Sequence, residues 1–392
     1  MPADLVLNHA TAYTSGQRLD DAWLSVRDGK IVAIGQGVPP TVTGAPTLDA
    51  RGMILAPGFL DLHVHGGGGA DFMDATPEAI ETIARSHAAG GTTAWVGTTV
   101  TAPLEVTRRA VEVAGPLVGR PIAGATLIGV HLEGPYLSLD QIGAHRPSYA
   151  RLPIPEEYEE LFGGLTGVGR VTAAPELSGA LAMGEAMRRR GIHAAIGHSN
   201  CYLPMVREAI AAGYSHVTHL YSCTTGLLNR GGYKQLGINE ASLLLDELTV
   251  ELIGDGYHVP GDLLKLVVKT KGIDRVCLVT DAMRAAGLGP GTYLLGDLEV
   301  LVEDGVAKLP DRSKFAGSVC TMAQAVRTAV SAGIPLASGL TMASATPAAL
   351  VGLGDRKGQL RPGYDADLVL LDGHLKVKTT IVGGRLVYPG TA

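Results

Sequence analysis

Apolar and polar positions alternate differently in three stretches of the chain. At the start, short apolar runs at 5–7, 22–26, 30–34 and 47–49 are separated by turn residues and carry no helical period. Arg27-Asp28-Gly29-Lys30 reads as a hairpin turn, since Asp-Gly tolerates positive φ. The last forty residues have the same texture, with strand-like runs at 367–371, 377–382 and 385–388 and Gly383-Gly384 between the last two. Strands at both ends without helices between them predict one small β-sandwich domain assembled from residues 1–55 and 354–392.

Between these ends, residues 56–353 alternate strand and helix. Apolar runs recur at 58–65, 92–100, 126–134, 170–176, 193–198, 216–221, 250–258 and 276–281. Segments of helical period lie at 77–89, 104–113, 180–190, 203–212 and 261–270, and Thr76-Pro77 signs the start of the first. Eight repeats of strand then helix predict an α/β fold, a (β/α)8 TIM-type barrel. A doubly wound sheet is the competing architecture, but it would not gather several strand ends around one point. Residues 291–309 read as a small β insertion, and two further helices are predicted near 320–332 and 336–353.

Five of the runs end in a possible metal ligand or proton acceptor: Asp61-Leu62-His63-Val64-His65, Val130-His131-Leu132-Glu133, Ile196-Gly197-His198, Val217-Thr218-His219 and Val279-Thr280-Asp281. Strand ends of a barrel converge at one rim, so these side chains point to a metal-centred hydrolytic site. His63 and His65, two apart, leave a strand on one face. The glycines at 66–69 would let substrate or backbone approach closely. Glu133, followed by Gly134-Pro135, would be costly to bury without a cation or charged partner. His198 and His219 complete a carboxylate-and-imidazole set. Asp281 is placed to take a proton from attacking water and return it to the leaving group. His131 should lie deeper in the barrel and His216 should point away from His219. His9, His87, His193 and His374 join no cluster, and none of these six is a candidate.

Composition narrows the classes. Glycine, 53 of 392 residues, is roughly twice its average usage of ~7%, which fits many tight loops. Aromatics are scarce at 5%, so the core must be aliphatic. Net charge is -6 with no Lys/Arg block, which argues against nucleic-acid or anionic-membrane partners. The four cysteines form no CxxC pair and read as reduced thiols. With no basic-then-apolar leader after Met1-Pro2-Ala3-Asp4, the expected location is the cytoplasm.

The set His131-Leu132-Glu133-Gly134-Pro135, Gly197-His198-Ser199-Asn200, Thr218-His219-Leu220-Tyr221, Gly254-Asp255-Gly256-Tyr257-His258 and Val279-Thr280-Asp281-Ala282 closely resembles the N-acetylglucosamine-6-phosphate deacetylases of the amidohydrolase superfamily. The resemblance extends over nearly the whole chain, through Met53 to Gly58 at one end and Pro362 to Asp367 at the other. It implies that Glu133, His198 and His219 hold a principal divalent metal, zinc or iron, and that His63 and His65 hold a second one bridged by Glu133. Asp281 becomes general base and then acid. His145, beside Ala144, polarises the amide carbonyl, and His258 contacts the sugar. Arg230 would reach the substrate phosphate from the neighbouring subunit of a homodimer. Where the family has Asn-Ala-Met after the Thr-His-Leu-Tyr run, this chain has Ser222-Cys223-Thr224. Those positions are therefore substrate-binding candidates of altered chemistry. The implied substrate is N-acetylglucosamine 6-phosphate. The alternatives are another N-acetylated amino sugar, with or without phosphate, and a non-catalytic barrel that only binds. Relatives that use a carboxylated lysine are disfavoured, because no lysine ends any of the strands.

Overall fold

The computed structural model describes residues 5–14, 16–39, 45–163 and 165–389, with only the backbone described at Gly163 and Arg230. Eight strands form the barrel: β1 (Phe59–Val64), β2 (Thr92–Thr98), β3 (Thr126–Glu133), β4 (Val168–Ala173), β5 (His193–Ile196), β6 (Tyr214–Val217), β7 (Thr249–Ile253) and β8 (Val276–Val279). Each pairs in parallel with its successor in chain order. A parallel bridge between Val64 and Ala282 joins the ends of β1 and β8. Parallel strands need covered faces, which explains why these runs are buried almost throughout.

The covering helices follow from their apolar stripes. Pro77–Ala89 buries Ile80, Ile83, Ala84, His87 and Ala88 on one side. Its N-cap Thr76 accepts the Ala79 amide at 3.1 Å, satisfying one of the free donors of the first turn. Leu104–Ala114, Ala180–Arg189, Leu203–Ala212 and Gly261–Lys271 stand where the helical period placed them. Pro155–Gly163 and Ile238–Leu244 are additional helices that no periodic run signalled. The predicted helix over 336–353 is two, Leu336–Ala343 and Ala345–Leu350. The break falls at Ser344 (φ -139°), where Pro347 can neither donate to nor sit beside the Ala343 carbonyl.

Strands from both chain ends meet in one mixed sheet. Its spatial order is Arg385–Tyr388, Val377–Val382, Leu368–Leu371, Ile54–Pro57, Leu5–Thr14, Gln17–Arg27 and Lys30–Gln36, and the short Thr47–Asp49 pairs with Leu5–Thr14. The small domain from both termini is thus present, its strands paired in a single sheet with its own core of Leu7, Leu24, Ile31 and Leu55. Asp28 and Gly29 both take positive φ (49° and 71°) at the predicted hairpin turn. The insertion after β8 is a three-stranded antiparallel sheet, Gly291–Leu295, Leu298–Glu303 and Val306–Lys308. A further hairpin, Leu228–Arg230 with Tyr233–Gln235, follows β6. No helix among the described residues is long and apolar enough to cross a membrane.

Candidate active site

The C-terminal ends of the barrel strands open into a cavity of about 340 Å³, with Glu133, His65, His198, His219 and Asp281 among the residues lining it. Glu133 lies at its centre, 2% exposed. Its Oε1 is 3.2 Å from His198 Nε2 and 2.8 Å from His219 Nε2. Its Oε2 is 3.4 Å from His63 Nε2 and 3.2 Å from His65 Nε2. Asp281 Oδ1 closes the second group, 3.5 Å from His63 Nε2 and 3.2 Å from His65 Nε2. One carboxylate therefore serves two sets of donors, a different oxygen to each.

This donor set fits divalent metal. Ligands at 2.0–2.1 Å around a tetrahedral zinc lie about 3.3 Å from one another, the spacing found here. All four imidazoles turn Nε2 inward and engage an acceptor with Nδ1. His63 Nδ1 faces Glu251 Oε2 (3.3 Å), His65 the Thr98 carbonyl (3.2 Å), His198 the Gln141 carbonyl (2.8 Å) and His219 the Ser222 carbonyl (3.1 Å). Each Nδ1 must carry its proton to make that bond, which leaves each Nε2 lone pair for a cation.

The electrostatics agree. Burial by itself would lower the histidine pKa values, yet the Glu133 and Asp281 carboxylates override it and push His63 up to about 10 and His65 to about 9. Burial also opposes ionisation of Glu133, but the surrounding imidazoles hold it well below the usual carboxylate range. Asp281 is likewise lowered against its burial, chiefly by His63 and His65. Such a cluster of facing carboxylates and imidazoles calls for added positive charge at its centre.

His145 is wired the other way. The Thr101 backbone N–H donates to its Nδ1 at 3.1 Å, so the proton of the neutral ring sits on Nε2. That Nε2 is 3.6 Å from Glu133 Oε2 and lines the cavity. Burial lowers His145 to about 4, keeping it neutral. His145 is thus a hydrogen-bond donor facing the cavity rather than a lone-pair ligand, although its ring nitrogen lies close enough to Glu133 and His198 to be grouped with them.

Backbone strain concentrates at the same rim. His198 (φ 46°), His219 (φ 29°), Cys223 (φ 51°) and Asp281 (φ 51°) all occupy left-handed backbone, which non-glycine residues rarely adopt. Leaving the strands with this twist turns the side chains from the barrel wall toward the axis. Gly143 (φ 61°) is required where it stands: a Cβ there would meet Cys223 Sγ at 2.7 Å and His198 Cε1 at 3.2 Å. Of the two expected roles for the glycines at 66–69, close approach of backbone is the one found, and approach of substrate is not. None of them lines the cavity, and at Gly66 a Cβ would strike the Ala70 carbonyl and the Arg284 amide.

Ala144, Ser222, Cys223 and His258 also line the cavity. His258 is fixed by Asp255, Nδ1 to Oδ2 at 2.7 Å, and packs on Phe315 with ring centroids 4.8 Å apart. Arg230 ends a hairpin strand, and its side chain lies outside the described residues. Three features escape sequence reasoning. Lys314, beside Phe315, is the one Lys or Arg lining the cavity among the described residues; nearby Lys308 and Arg312 are paired with Glu303. Beneath the centre lie Glu251 and Arg170, a buried ion pair in the barrel interior. His216, expected to point away from His219, also enters this interior, its Nε2 3.4 Å from Glu251 Oε1. It sits within β6, whereas His219 lies past the strand end, so the three-residue offset does not separate their directions. His131 is deeper, as expected, with Nε2 2.7 Å from Thr172 Oγ1.

A closed parallel barrel with this rim of imidazoles and carboxylates is the architecture of metal-dependent hydrolases. The amidohydrolase family profile matches residues 54–387, and the chain belongs to that family. It is 35% identical over 94% of its length to the N-acetylgalactosamine-6-phosphate deacetylase of Escherichia coli O157:H7, covering 95% of that protein. It is 33% identical to the N-acetylglucosamine-6-phosphate deacetylase of Lysinibacillus sphaericus, over 97% of both chains. Its structure is similar to that of a mutant Mycobacterium smegmatis N-acetyl-D-glucosamine-6-phosphate deacetylase in complex with N-acetyl-D-glucosamine-6-phosphate. That likeness has a TM-score of 0.91 at 35% identity, covering 98% of this chain and 99% of that one.

Proposed function

We propose that this chain hydrolyses the acetamide of N-acetylglucosamine 6-phosphate to glucosamine 6-phosphate and acetate. The observation that carries this reading is the pairing of a Glu133-centred donor cluster with one oppositely protonated histidine, His145, over the same cavity. Glu133, His198 and His219 would hold one divalent ion, zinc or iron, and Glu133, His63, His65 and Asp281 would surround a second. When bound, the metal supplies Lewis acidity that polarises the amide carbonyl and acidifies the attacking water.

The protein's own groups do the rest. His145 donates from Nε2 to the carbonyl oxygen, where negative charge grows as water adds to the acetyl carbon. Asp281 Oδ accepts the proton released by that water. The same carboxyl then protonates the amine nitrogen as the C–N bond breaks, so the proton count closes within one turnover. His258 and the Ser222–Cys223 segment line the same cavity and would contact the sugar, and Lys314 offers a cation for the phosphate.

The same reading makes the protein a cytoplasmic homodimer, in which Arg230 of the partner subunit reaches the phosphate. Residues 56–353 are its catalytic unit, supported by the β domain of 1–55 and 354–392. A second reading, the galactosamine epimer, is favoured by the equal 35% identity to the N-acetylgalactosamine-6-phosphate deacetylase. The deciding experiment measures kcat/KM for N-acetylglucosamine 6-phosphate, N-acetylgalactosamine 6-phosphate and unphosphorylated N-acetylglucosamine. Preference for the first is expected. Preference for the second selects the epimer, and preference for the unphosphorylated sugar overturns the phosphate assignment.

A further inference from the structure

Below the donor cluster the barrel holds a charged pair that catalysis does not use. Glu251, in β7, is fully buried, and Arg170, in β4, is 3% exposed. Barrel interiors of this kind are ordinarily filled by branched aliphatic layers. Replacing a buried ion pair by apolar side chains is often neutral or stabilising, so stability alone gives little reason for its presence.

What the pair touches supplies a reason. Glu251 Oε2 faces His63 Nδ1 at 3.3 Å and accepts the His219 backbone N–H at 3.4 Å. Its Oε1 receives Arg170 Nη1. Arg170 is itself fixed by Thr218 Oγ1 (2.9 Å) and the Leu62 carbonyl (3.3 Å), groups that immediately precede His219 and His63 in the chain. The other three inward-facing histidines lean on backbone carbonyls. His63 alone leans on a side-chain carboxylate, so its orientation depends on where Glu251 is held. Like His65, it lies against both Glu133 and Asp281.

We infer that Glu251 is a positioning residue for the His63–His65 half of the centre. It fixes His63 as the Nδ1–H tautomer with Nε2 inward, and Arg170 holds it in place. The inference rests on the proposal that His63 and His65 hold a cation, and the test keeps the two apart. Zinc is titrated by calorimetry into metal-free wild type, His63→Asn, the double variant R170M/E251L and the double variant R170M/E251Q. The doubles remove both buried charges together, which avoids stranding one of them.

Wild type should take two zinc ions per chain and His63→Asn one. R170M/E251L should keep the first ion and bind the second about 10–100-fold more weakly. R170M/E251Q restores an acceptor for His63 Nδ1–H and should recover most of that loss, which a purely space-filling role would not predict. Undiminished binding of the second ion by R170M/E251L, with an ion lost in His63→Asn, overturns the inference and leaves the two-ion reading standing. A single wild-type ion unaffected by His63→Asn overturns both. Should the doubles fail to fold, nitrogen NMR of zinc-loaded wild type decides, with His63→Asn assigning the signal. His63 ligating through Nε2 with Nδ1–H supports the inference, and ligation through Nδ1 defeats it.

Discussion

Asp281 and His145 face one cavity, and the opposite proton duties proposed for them can each be tested by a change of similar size. Asp281→Asn keeps the shape but cannot accept the proton. Its kcat should fall by about 10²–10⁴-fold, while metal at the proposed Glu133–His198–His219 site should stay, as metal analysis would register. His145→Leu, which fills similar space without a donor, should lower kcat by about 10²–10³-fold, the loss of one oxyanion donor. Unchanged kcat in either variant would remove that residue from the chemistry. Lys314→Gln should raise KM for the phosphorylated sugar by roughly tenfold, about one charge-assisted hydrogen bond, with kcat and the unphosphorylated reaction unaltered. Equal effects on both sugars would mean that Lys314 does not read phosphate. The centre was legible in sequence because Glu133, His198, His219 and Asp281 each terminate an apolar run. Glu251 was not, because it stands inside Thr249–Ile253 rather than at its end. Nor was Lys314, which reaches the cavity from an exposed loop that only the fold brings there.

At the level of elements, Lys357 ties the last helices to the terminal sheet. Its Nζ is 2.9 Å from Asp365 Oδ2 and also bonds Asp367, which precedes the strand Leu368–Leu371. Lys357 and Asp367 are both buried. Lys357→Met would strand the Asp367 carboxylate and should cost about 3–5 kcal/mol of unfolding free energy in urea. A change under 1 kcal/mol would show the pair to be dispensable. Burial opposes the charge on Asp365, but Lys30 and Lys357 outweigh it and hold its pKa below the usual value. That contribution is present above about pH 4 and is lost as pH falls through the lowered value. Burial similarly opposes the charge on Lys357, and Asp367 and Asp365 raise its pKa on balance. Its contribution is full below about pH 10 and disappears as pH rises through the raised value. The variant should flatten both flanks of the stability profile, and an unchanged acid flank would count against the pair. Helix limits followed from period and capping. The split at Ser344 did not, because Ala345-Thr346-Pro347 continues the apolar pattern while Pro347 removes a backbone donor.

For the molecule as a whole, metal and fold are linked through mass action. Zinc at a hundred times its dissociation constant should stabilise the protein by about 2.7 kcal/mol per site. Chelation should therefore lower the thermal midpoint, and readdition restore it. A midpoint indifferent to chelator would mean that the cluster does not hold ions in the native state. The barrel was legible from eight repeats of strand and helix; the polar filling of its interior was not, because single charges within apolar runs give no period. The Val64–Ala282 bridge closes the barrel between the earliest and latest parts of its sequence. His65 and Asp281 flank that seam from opposite ends of the barrel's sequence, whereas Glu133, His198 and His219 all come from its middle strands. That group of three is therefore complete within the middle of the sequence, whereas the proposed proton carrier, Asp281, comes only with the last strand end. On the proposed roles, closing this seam is what completes the site, so a chain cut before Asp281 should show no turnover in an acetate-release assay, and turnover by such a chain would contradict the role given to Asp281.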